Sequence, residues 1–313
     1  MSTKGIAIPE AIMRAQSNSQ LDATLDDVAA LGFGWIRFDI YWAAWETTQG
    51  TINYTQLDRI ISRCVARDIR IVGAINTTPT WARPSGRIDT YGPTTTTEQD
   101  NYASFAGRVA DHYKSVIRHY EIWNEPNLDQ FWSPTPSASV YSSLLQKAYQ
   151  AIKAVDPDIM VISGGTGGAG SNPDIPSDDF IAGIYAAGGN NYCDAITTHP
   201  YPNRNGSGGV TTGEMALSVA IRSYMDSHGD STKPIWGTEM GIPTRESNGH
   251  QVSEAMQAQL ATNAYAYWRT IHHSGPMFWY TYADSVSGNQ WGVVRTDGSQ
   301  KPSYSAIQNI SSS

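Results

Sequence analysis

Short apolar segments alternate with segments of helical periodicity along the whole chain, and this alternation constrains the fold more than any other feature. Strands that alternate with helices predict βαβ units and a parallel sheet. The chain contains eight such pairs, the number in a (β/α)₈ TIM barrel, which is the fold class we expect. A doubly wound open sheet is the alternative, because the sequence does not show closure. The predicted strands are residues 5–8, 35–39, 70–74, 118–123, 158–163, 194–198, 234–238 and 276–280.

The chain of 313 residues shows no shift in composition that would separate one domain from another. Barrels of this class commonly have this length, so we predict a single catalytic domain over residues 1–313. The longest irregular segments are residues 77–97, 164–177 and 200–212, and each follows a predicted strand. The loops after the strands build the active-site face of a (β/α)₈ barrel. A functional site is therefore expected at the carboxyl ends of the strands.

Acidic residues outnumber basic ones, with 29 Asp and Glu against 21 Lys and Arg and a net charge of −8. This balance argues against binding to nucleic acid, whose phosphate backbone requires a basic surface. The chain is also rich in aromatic residues, with 10 Trp and 17 Tyr. Their rings combine a flat apolar face with a polar group, which suits a neutral carbohydrate. The His residues are scattered without metal-ligand spacing, and we expect neither a metal ion nor a cofactor.

The sequence contains no apolar run near the ~20 residues that a membrane-spanning helix needs. Its start also lacks an apolar signal-peptide segment. We therefore expect a soluble protein without a membrane span, although the mature domain of an exported or surface-acting protein would have the same features. Cys64 lies on the apolar face of a predicted helix and is expected to be a buried free thiol, and no spacing indicates a bond to Cys193. Nothing in the sequence indicates an oligomeric state.

Two glutamates follow apolar strands. Glu125 lies in residues 123–127 (WNEPN), after the fourth predicted strand, and Glu239 in residues 236–241 (WGTEMG), after the seventh. Paired carboxylates at strand ends suit the cleavage of glycosidic bonds, one as acid/base and one as nucleophile. We assign Glu125 as acid/base and Glu239 as nucleophile, and we expect a polysaccharide or oligosaccharide substrate. Strands four and seven would face each other across a small barrel mouth, which suits the roughly 5–5.5 Å that retention requires.

The segments around both glutamates resemble the retaining glycoside hydrolases of clan A, and their details most resemble family 39 and its neighbours. Further similar segments follow in the same order along nearly the whole chain. One departure is residues 46–49 (ETTQ), where relatives often carry a proline. The resemblance implies a retaining β-glycosidase without a cofactor. The further similar segments are residues 45–46, 50, 54–58, 78–82, 199–201, 278–280 and 297–302.

The resemblance also implies supporting roles near the two carboxylates. Arg37 would hold Glu239 ionised, with a salt bridge in the barrel core as the structural alternative. Asn124 would donate a hydrogen bond to the sugar 2-hydroxyl, a contact that strengthens in the transition state. His199 and Tyr201 would orient Glu239 or the sugar, and a purely structural His is the alternative.

Aromatic residues in the same resemblance are expected to contact sugar. Trp279 would form the platform under the sugar at the cleavage point, and we predict a cis peptide bond between it and Tyr280. Trp81, Trp132 and Trp291 lie on loops after predicted strands and are candidates for further sugar subsites, with loop packing as the alternative.

Residues 165–170 (GTGGAG) match the G-x-G-x-x-G pattern and follow a strand, but Pro173 and Pro176 separate them from the next helix. We interpret them as a flexible loop at the rim of the site. An oxidoreductase that binds a nucleotide there is one alternative function, and a carbohydrate-binding barrel that has lost activity is another. Long loops with dispersed Trp favour internal cleavage of a polysaccharide, and removal of end units stays open as the alternative.

Overall fold

The computed structural model describes residues 3–202, 209–246, 251–286 and 288–311. The strands are β1 (Lys4–Ala7), β2 (Trp35–Tyr41), β3 (Arg70–Asn76), β4 (His119–Ile122), β5 (Met160–Ile162), β6 (Ile196–Thr198), β7 (Ile235–Met240) and β8 (Ser274–Tyr280). Within the described residues they form one eight-stranded sheet in the order β5-β4-β3-β2-β1-β8-β7-β6. β1 pairs in parallel with both β2 and β8, so the first and last strands of the chain are neighbours.

The two strands at the ends of this order, β5 and β6, are also joined. An isolated parallel bridge connects Ile162 with Ala195, and the Ser163 N–H donates to the Ala195 carbonyl at 3.1 Å. The order is therefore consecutive and cyclic, whereas a doubly wound sheet reverses its order at a switch point. The predicted (β/α)₈ TIM-barrel fold class is confirmed.

Helices connect the strands, because a parallel pair requires a crossover that is usually helical. Ser17 and Thr95 each begin a helix with a capping box, in which the side chains of Gln20 and Glu98 bond back to the cap residue. The helices are α1 (Glu10–Ala15), α2 (Asn18–Ala30), α3 (Trp42–Trp45), α4 (Thr55–Val65), α5 (Thr96–Tyr113), α6 (Ala138–Val155), α7 (Ser177–Ala186), α8 (Gly213–Ser227), α9 (Glu254–Trp268) and α10 (Pro302–Gln308).

Three strands continue beyond the ends that the sequence predicts. β2 reaches Tyr41, β3 reaches Asn76 and β7 reaches Met240, two residues further in each case. The polar residues in these extensions are typical of loops, but the backbone remains extended through them. The extensions matter for function, because they carry polar side chains at the carboxyl ends of the strands.

The described residues form two compact units, and the prediction of one domain over residues 1–313 stays a prediction. The first unit contains the residues up to Arg37, Ser62–Arg70 and the residues from Thr198 onward. Its core contains the apolar residues of β1, β7 and β8 together with α9. The second unit contains Phe38–Ile61 and Ile71–Thr197, and its core contains β3, β4 and the facing sides of α5 and α6.

Cys64 and Cys193 are both buried free thiols, which confirms the expectation for Cys64. Burial raises the pKa of the Cys64 thiol to about 12, so it stays protonated at neutral pH. No helix in the described ranges is both long enough and apolar enough to cross a bilayer. In the predicted loop 200–212, residues 203–208 lie outside the described residues.

Candidate active-site residues

Strand β7 contains a β-bulge near its carboxyl end. Its pairing with β8 matches Gly237 with Met277 and Met240 with Trp279, so two β7 residues oppose one β8 residue between these pairs. The second of the two is Glu239. An extra residue in one strand interrupts the regular alternation and re-aims the side chains that it carries. The bulge therefore determines the direction of the Glu239 carboxylate.

Glu239 is held by a buried cation and a hydroxyl group. Arg37 Nη1 donates to Oε1 at 2.6 Å, and the Tyr201 hydroxyl donates to Oε2 at 2.8 Å. His199 Nδ1 lies 3.9 Å from Oε2. The Glu239 side chain is 14% exposed, whereas those of Arg37 and His199 are 3% and 0% exposed. The carboxylate charge is thus stabilised while its surface remains open to a reactant.

The alternation of β2 positions the Arg37 side chain. Trp35 and Arg37 are two residues apart and lie on the same face of the strand. The Trp35 ring packs edge-on against Trp236 at 5.4 Å and against Phe278 at 6.5 Å. These contacts direct this face of β2 toward β7 and β8, and Arg37 lies on the same face. A charge buried there requires an anionic partner, and Glu239 supplies one.

Tyr201 belongs to an aromatic group that includes Trp291 and Tyr280. Trp291 contacts the Tyr201 ring at 5.4 Å and the Tyr280 ring at 6.1 Å, both edge-on. Tyr201 and Tyr280 are partly exposed, but Trp291 is only 8% exposed. Trp291 therefore supports the two tyrosines more than it presents a face of its own to solvent. Its sequence-based assignment as a sugar subsite stays a prediction.

The structure differs from the expectation at Trp279, whose side chain is fully buried. Trp279 and Met277 are two residues apart and therefore share one face of β8. On this face, a Cβ atom added at Gly237 would meet both Met277 and Trp268 of α9. The face of Trp279 is therefore the one next to a helix, and strand alternation places Tyr280 on the opposite face. The predicted cis peptide after Trp279 was wrong by one residue, since the cis bond is Tyr280–Thr281.

A buried ion pair fixes the segment that carries Trp291. Lys301 Nζ lies 2.8 Å from Asp284 Oδ1, and both side chains are almost fully buried. The same oxygen accepts from the Gly292 N–H at 2.8 Å, and Lys301 also donates to the Thr244 hydroxyl at 2.8 Å. Burial lowers the pKa of Lys301, and the nearby Asp284 opposes this shift. The pair therefore anchors the chain directly after Trp291.

Glu125 lies in the second unit, in a backbone of unusual conformation. Trp123 and Glu125 have φ angles of 73° and 44°, in the left-handed region that non-glycine residues rarely occupy. The Glu125 N–H donates to the Gly165 carbonyl at 3.0 Å, and Asn124 forms a parallel bridge with Gly165. Asn124 and Glu125 are both partly exposed. Strained positions of this kind concentrate at functional sites.

Sequence reasoning missed a polar group at the ends of β2 and β3. Asp39 Oδ1 accepts from Asn76 Nδ2 at 2.7 Å, and Asp39 Oδ2 accepts from the Tyr41 hydroxyl at 3.0 Å. Asp39 is partly exposed and Asn76 is buried. A signal was present, because an Asp inside an apolar strand and an Asn at the end of another are both unusual in a parallel sheet.

Trp81 and Trp132, two of the predicted subsite residues, have different surroundings. Trp81 is partly exposed, its Nε1 donates to the Glu46 carbonyl at 2.7 Å, and its ring contacts Trp42 edge-on at 5.5 Å. Trp132 is fully buried and packs against the ring of Trp123. Loop packing therefore accounts for Trp132, whereas Trp81 keeps an accessible ring.

The glycine-rich residues 165–170 do not lead into a helix, since α7 begins at Ser177. A dinucleotide site of the G-x-G-x-x-G kind needs a helix N-terminus directly after the glycines. The structure therefore gives no support to the oxidoreductase alternative at this loop.

The chain forms a (β/α)₈ barrel with Glu125 just after β4 and Glu239 in β7, as the resemblance to the clan A retaining glycoside hydrolases implies. The family model of the cellulases, glycosyl hydrolase family 5, matches residues 2–283. The chain therefore belongs to glycosyl hydrolase family 5. The resemblance to the glycoside hydrolases of clan A is thus confirmed at the level of the family.

Solved structures of similar fold include a member of another family. A family 39 glycoside hydrolase from Bacteroides cellulosilyticus WH2 has 24% sequence identity and a TM-score of 0.80, with 99% of this chain and 63% of that chain covered. A monomeric β-xylosidase from Caulobacter crescentus CB15 has 21% identity and a TM-score of 0.77, with 98% and 67% covered. At these identities the likeness shows the fold.

A curated relative matches a shorter part of the chain. The β-xylosidase of Geobacillus stearothermophilus is 26% identical over 119 residues, which are 35% of this chain and 23% of the relative. The chain thus spans less than two thirds of the family 39 structure, and its match to this curated relative covers about a quarter of that protein.

Proposed function

We propose that this protein hydrolyses β-linked glycans with retention of configuration, with Glu239 as nucleophile and Glu125 as acid/base. The observation that carries the proposal is the state of Glu239, which is ion-paired with Arg37, bonded to Tyr201 and still partly exposed. A nucleophilic carboxylate must be ionised and accessible, and these contacts meet both conditions. Family membership supports the same reaction class.

In the proposed first step, an oxygen of Glu239 attacks the anomeric carbon and the glycosidic bond breaks. Glu125 delivers a proton to the departing oxygen, and a covalent glycosyl-enzyme forms. Arg37 and Tyr201 keep Glu239 in one orientation before the attack. Their hydrogen bonds weaken as the carboxylate charge is consumed, so their main contribution is the placement of Glu239.

In the second step, Glu125 takes a proton from a water molecule that attacks the same carbon and releases Glu239. Two inversions at one carbon give net retention. Glu125 therefore alternates between acid and base, and its orientation must survive both steps. The fixed backbone around Glu125 supports this requirement.

Sugar contacts are assigned to partly exposed side chains at the carboxyl ends of the strands. We assign the platform under the sugar to Tyr280 in place of Trp279, because Tyr280 is on the face opposite to the buried Trp279. Asn124 is proposed to donate to the sugar 2-hydroxyl. Asp39 is partly exposed, and its carboxylate is proposed to accept hydrogen bonds from further sugar hydroxyls.

The substrate that we propose is a glucan or xylan with β linkages. The family is described as cellulase, and two of the similar proteins are named β-xylosidase. The long loops after the strands favour cleavage inside the polymer. The β-xylosidase names favour the second candidate, which is removal of single sugars from chain ends.

The test is product analysis by mass spectrometry on a panel of β-linked glucans, xylans and their oligosaccharides. We expect wild type to release products and Glu239→Gln to release none, because the amide retains the shape of Glu239 but is not a nucleophile. Intermediate oligosaccharides would indicate internal cleavage, and early monosaccharide alone would indicate the end-acting candidate. Equal release by both proteins would contradict the assignment of Glu239.

A folded wild-type protein that binds these glycans without cleaving them would instead favour the inactive carbohydrate-binding barrel. Asn18→Ala in α2 serves as a matched control for the handling of variants, because α2 carries none of the proposed site residues. We expect its product pattern to equal that of wild type.

A further inference from the structure

We propose that the glycine-rich loop after β5 is a positioning device for the acid/base carboxylate, with Gly167 as the residue on which the placement depends. This inference rests on the proposed role of Glu125. It gives a function to the G-T-G-G-A-G sequence, which is not used to bind a nucleotide.

Gly167 lies directly against the Glu125 side chain. A Cβ atom at this position would be 2.3 Å from Glu125 Oε1 and 2.6 Å from its Cδ. The same Cβ would be 3.0 Å from Leu128. Nonbonded heavy atoms do not approach so closely, so any side chain at 167 must displace the carboxylate. The loop backbone at Gly167 therefore packs directly against the Glu125 carboxyl group and limits its position.

The loop also holds the Glu125 backbone. The Gly165 carbonyl accepts from the Glu125 N–H at 3.0 Å, and the Gly165 N–H donates to Glu121 Oε1 at 2.8 Å. Glu121 is fully buried on β4. Gly165 is thus held by a carboxylate of the strand through its N–H, and its carbonyl in turn holds the Glu125 backbone just beyond that strand.

Hydrogen bonds with Asn127 fix the position of Gly167. Its Oδ1 accepts from the Gly167 N–H at 3.0 Å, and its Nδ2 donates to the Gly167 carbonyl at 2.7 Å. Nδ2 also donates to the Ile175 carbonyl at 2.8 Å, and the Ser177 hydroxyl donates to the Gly167 carbonyl at 3.0 Å. Asn127 is fully buried. Both polar groups of Gly167 are therefore satisfied in a single conformation, so the loop here is not free to yield.

Displacement of the Glu125 carboxyl group and general loosening of the fold should affect catalysis differently, and this difference can be measured. A displaced acid/base impairs proton delivery, and this matters for a poor leaving group much more than for a leaving group that departs without a proton. General acid–base catalysis contributes about 10²–10⁴-fold, so even a partial displacement is measurable. A variant that merely loosens the fold lowers the activity on both kinds of substrate alike.

The experiment compares kcat/KM on phenyl and 2,4-dinitrophenyl β-glucosides and β-xylosides for wild type, Gly167→Ala, Gly170→Ala and Glu125→Ala. Gly170 is the matched control in the same loop, because a Cβ there would meet only the end of the Asp174 side chain at 3.2 Å. We expect Gly167→Ala to lose at least about tenfold on the phenyl glycoside and several-fold less on the dinitrophenyl glycoside. Gly170→Ala should resemble wild type on both.

Glu125→Ala separates failure of this inference from failure of the proposed function. If Glu125→Ala shows no dependence on the leaving group, the assignment of the acid/base is wrong. If it does show this dependence and Gly167→Ala behaves like Gly170→Ala, the positioning role of the loop is overturned. Thermal unfolding of each variant identifies losses that result from misfolding.

If Gly167→Ala does not yield folded protein, Asn127→Asp provides a second test of the proposal. It keeps the acceptor for the Gly167 N–H and removes the donor to the Gly167 and Ile175 carbonyls. A larger loss on the phenyl glycoside than on the dinitrophenyl glycoside is expected. Equal losses on the two substrates would overturn the proposal.

Discussion

Arg37 and Glu239 form an ion pair of 2.6 Å in which the cation is buried and the carboxylate remains partly exposed. Such an asymmetric pair differs from a structural salt bridge, in which both partners are usually withdrawn together. Here the cation is withdrawn from solvent, and the carboxylate that it contacts remains partly accessible to solvent.

Arg37→Met is expected to lower kcat/KM about 10- to 100-fold, because Glu239 loses the contact that orients it and misplacement of a reacting group by about 1 Å can cost about 10²-fold. Tyr201→Phe removes a single hydroxyl donor and should cost less than Arg37→Met. Steady-state kinetics of both single variants and the double variant measure their coupling through Glu239. Strictly additive losses would mean that the two residues do not act on the same carboxylate.

Replacing Tyr280 with Ala is expected to reduce kcat/KM about 5- to 10-fold, if the ring contributes on the order of 1–1.5 kcal/mol, the upper range for aromatic pairs. Trp279→Phe is the matched control on the next residue of β8. It should leave kcat/KM within a few-fold of wild type and lower the melting temperature, since it creates a cavity. A large loss of kcat/KM in Trp279→Phe together with little loss in the Tyr280 variant would instead favour Trp279 as the platform.

Asp39→Ala is expected to raise KM more than it lowers kcat, since Asp39 is proposed to bind sugar hydroxyls without joining in bond cleavage. Tyr41→Phe removes a donor to Asp39 and keeps the carboxylate, so it should have a smaller effect on KM. Initial rates across a range of oligosaccharide concentrations separate kcat from KM. An unchanged KM in Asp39→Ala would contradict the proposed contact.

Glu46 connects the loop of Trp81 to α5 and should matter for stability. Its side chain is fully buried and accepts from Trp42 Nε1 at 2.7 Å, from the Gly50 N–H at 2.7 Å and from Arg108 at 2.5 Å. Glu46→Ala leaves these donors without an acceptor and should lower the free energy of unfolding by about 2–4 kcal/mol. Urea denaturation measures the loss. Glu46→Gln keeps an acceptor and should lose less.

Lys4 should make stability depend on alkaline pH. Its Nζ donates to the Ile307 and Ile310 carbonyls at the end of α10, and burial lowers its pKa from the usual 10.5 to about 8, with a smaller contribution from Arg269. Between these values the unfolded chain binds this proton more tightly than the folded protein. The free energy of unfolding should therefore rise between pH 8 and 10.5, relative to Lys4→Met.

Denaturation of both proteins across this pH range checks the expectation. The excess stability cost of the charged Lys4 is fully present below pH 8 and is relieved above pH 10.5. Parallel pH profiles for wild type and Lys4→Met would show that the ammonium group titrates normally.

The fold and the two carboxylates could be predicted because both are carried by local patterns. Strand and helix periods alternate regularly, and the residues around Glu125 and Glu239 are contiguous in the chain. The position of Trp279 could not be predicted in the same way. Neighbouring residues of a strand face opposite sides, and a run of apolar residues such as 276–280 does not show which of them faces which side.

The role of Asp39 and the support of Trp291 depend on residues that are distant in the chain. Asp39 meets Asn76 across 37 positions, and Lys301 meets Asp284 only because the chain between them turns back. Gly167 lies in a glycine-rich segment whose composition is typical of a flexible linker. Its close approach to Glu125 is visible only in the three-dimensional structure. Sequence patterns report periodicity and neighbours along the chain, but not which loops meet.

The bulge in β7 decides which residue lies beside Trp279 of β8. If the ladder continued regularly from the pair Gly237 and Met277, Glu239 would pair with Trp279, whose side chain is fully buried. The extra residue gives that buried place to the apolar Met240 instead. The carboxylate of Glu239 thereby stays at the partly exposed end of its ion pair with Arg37.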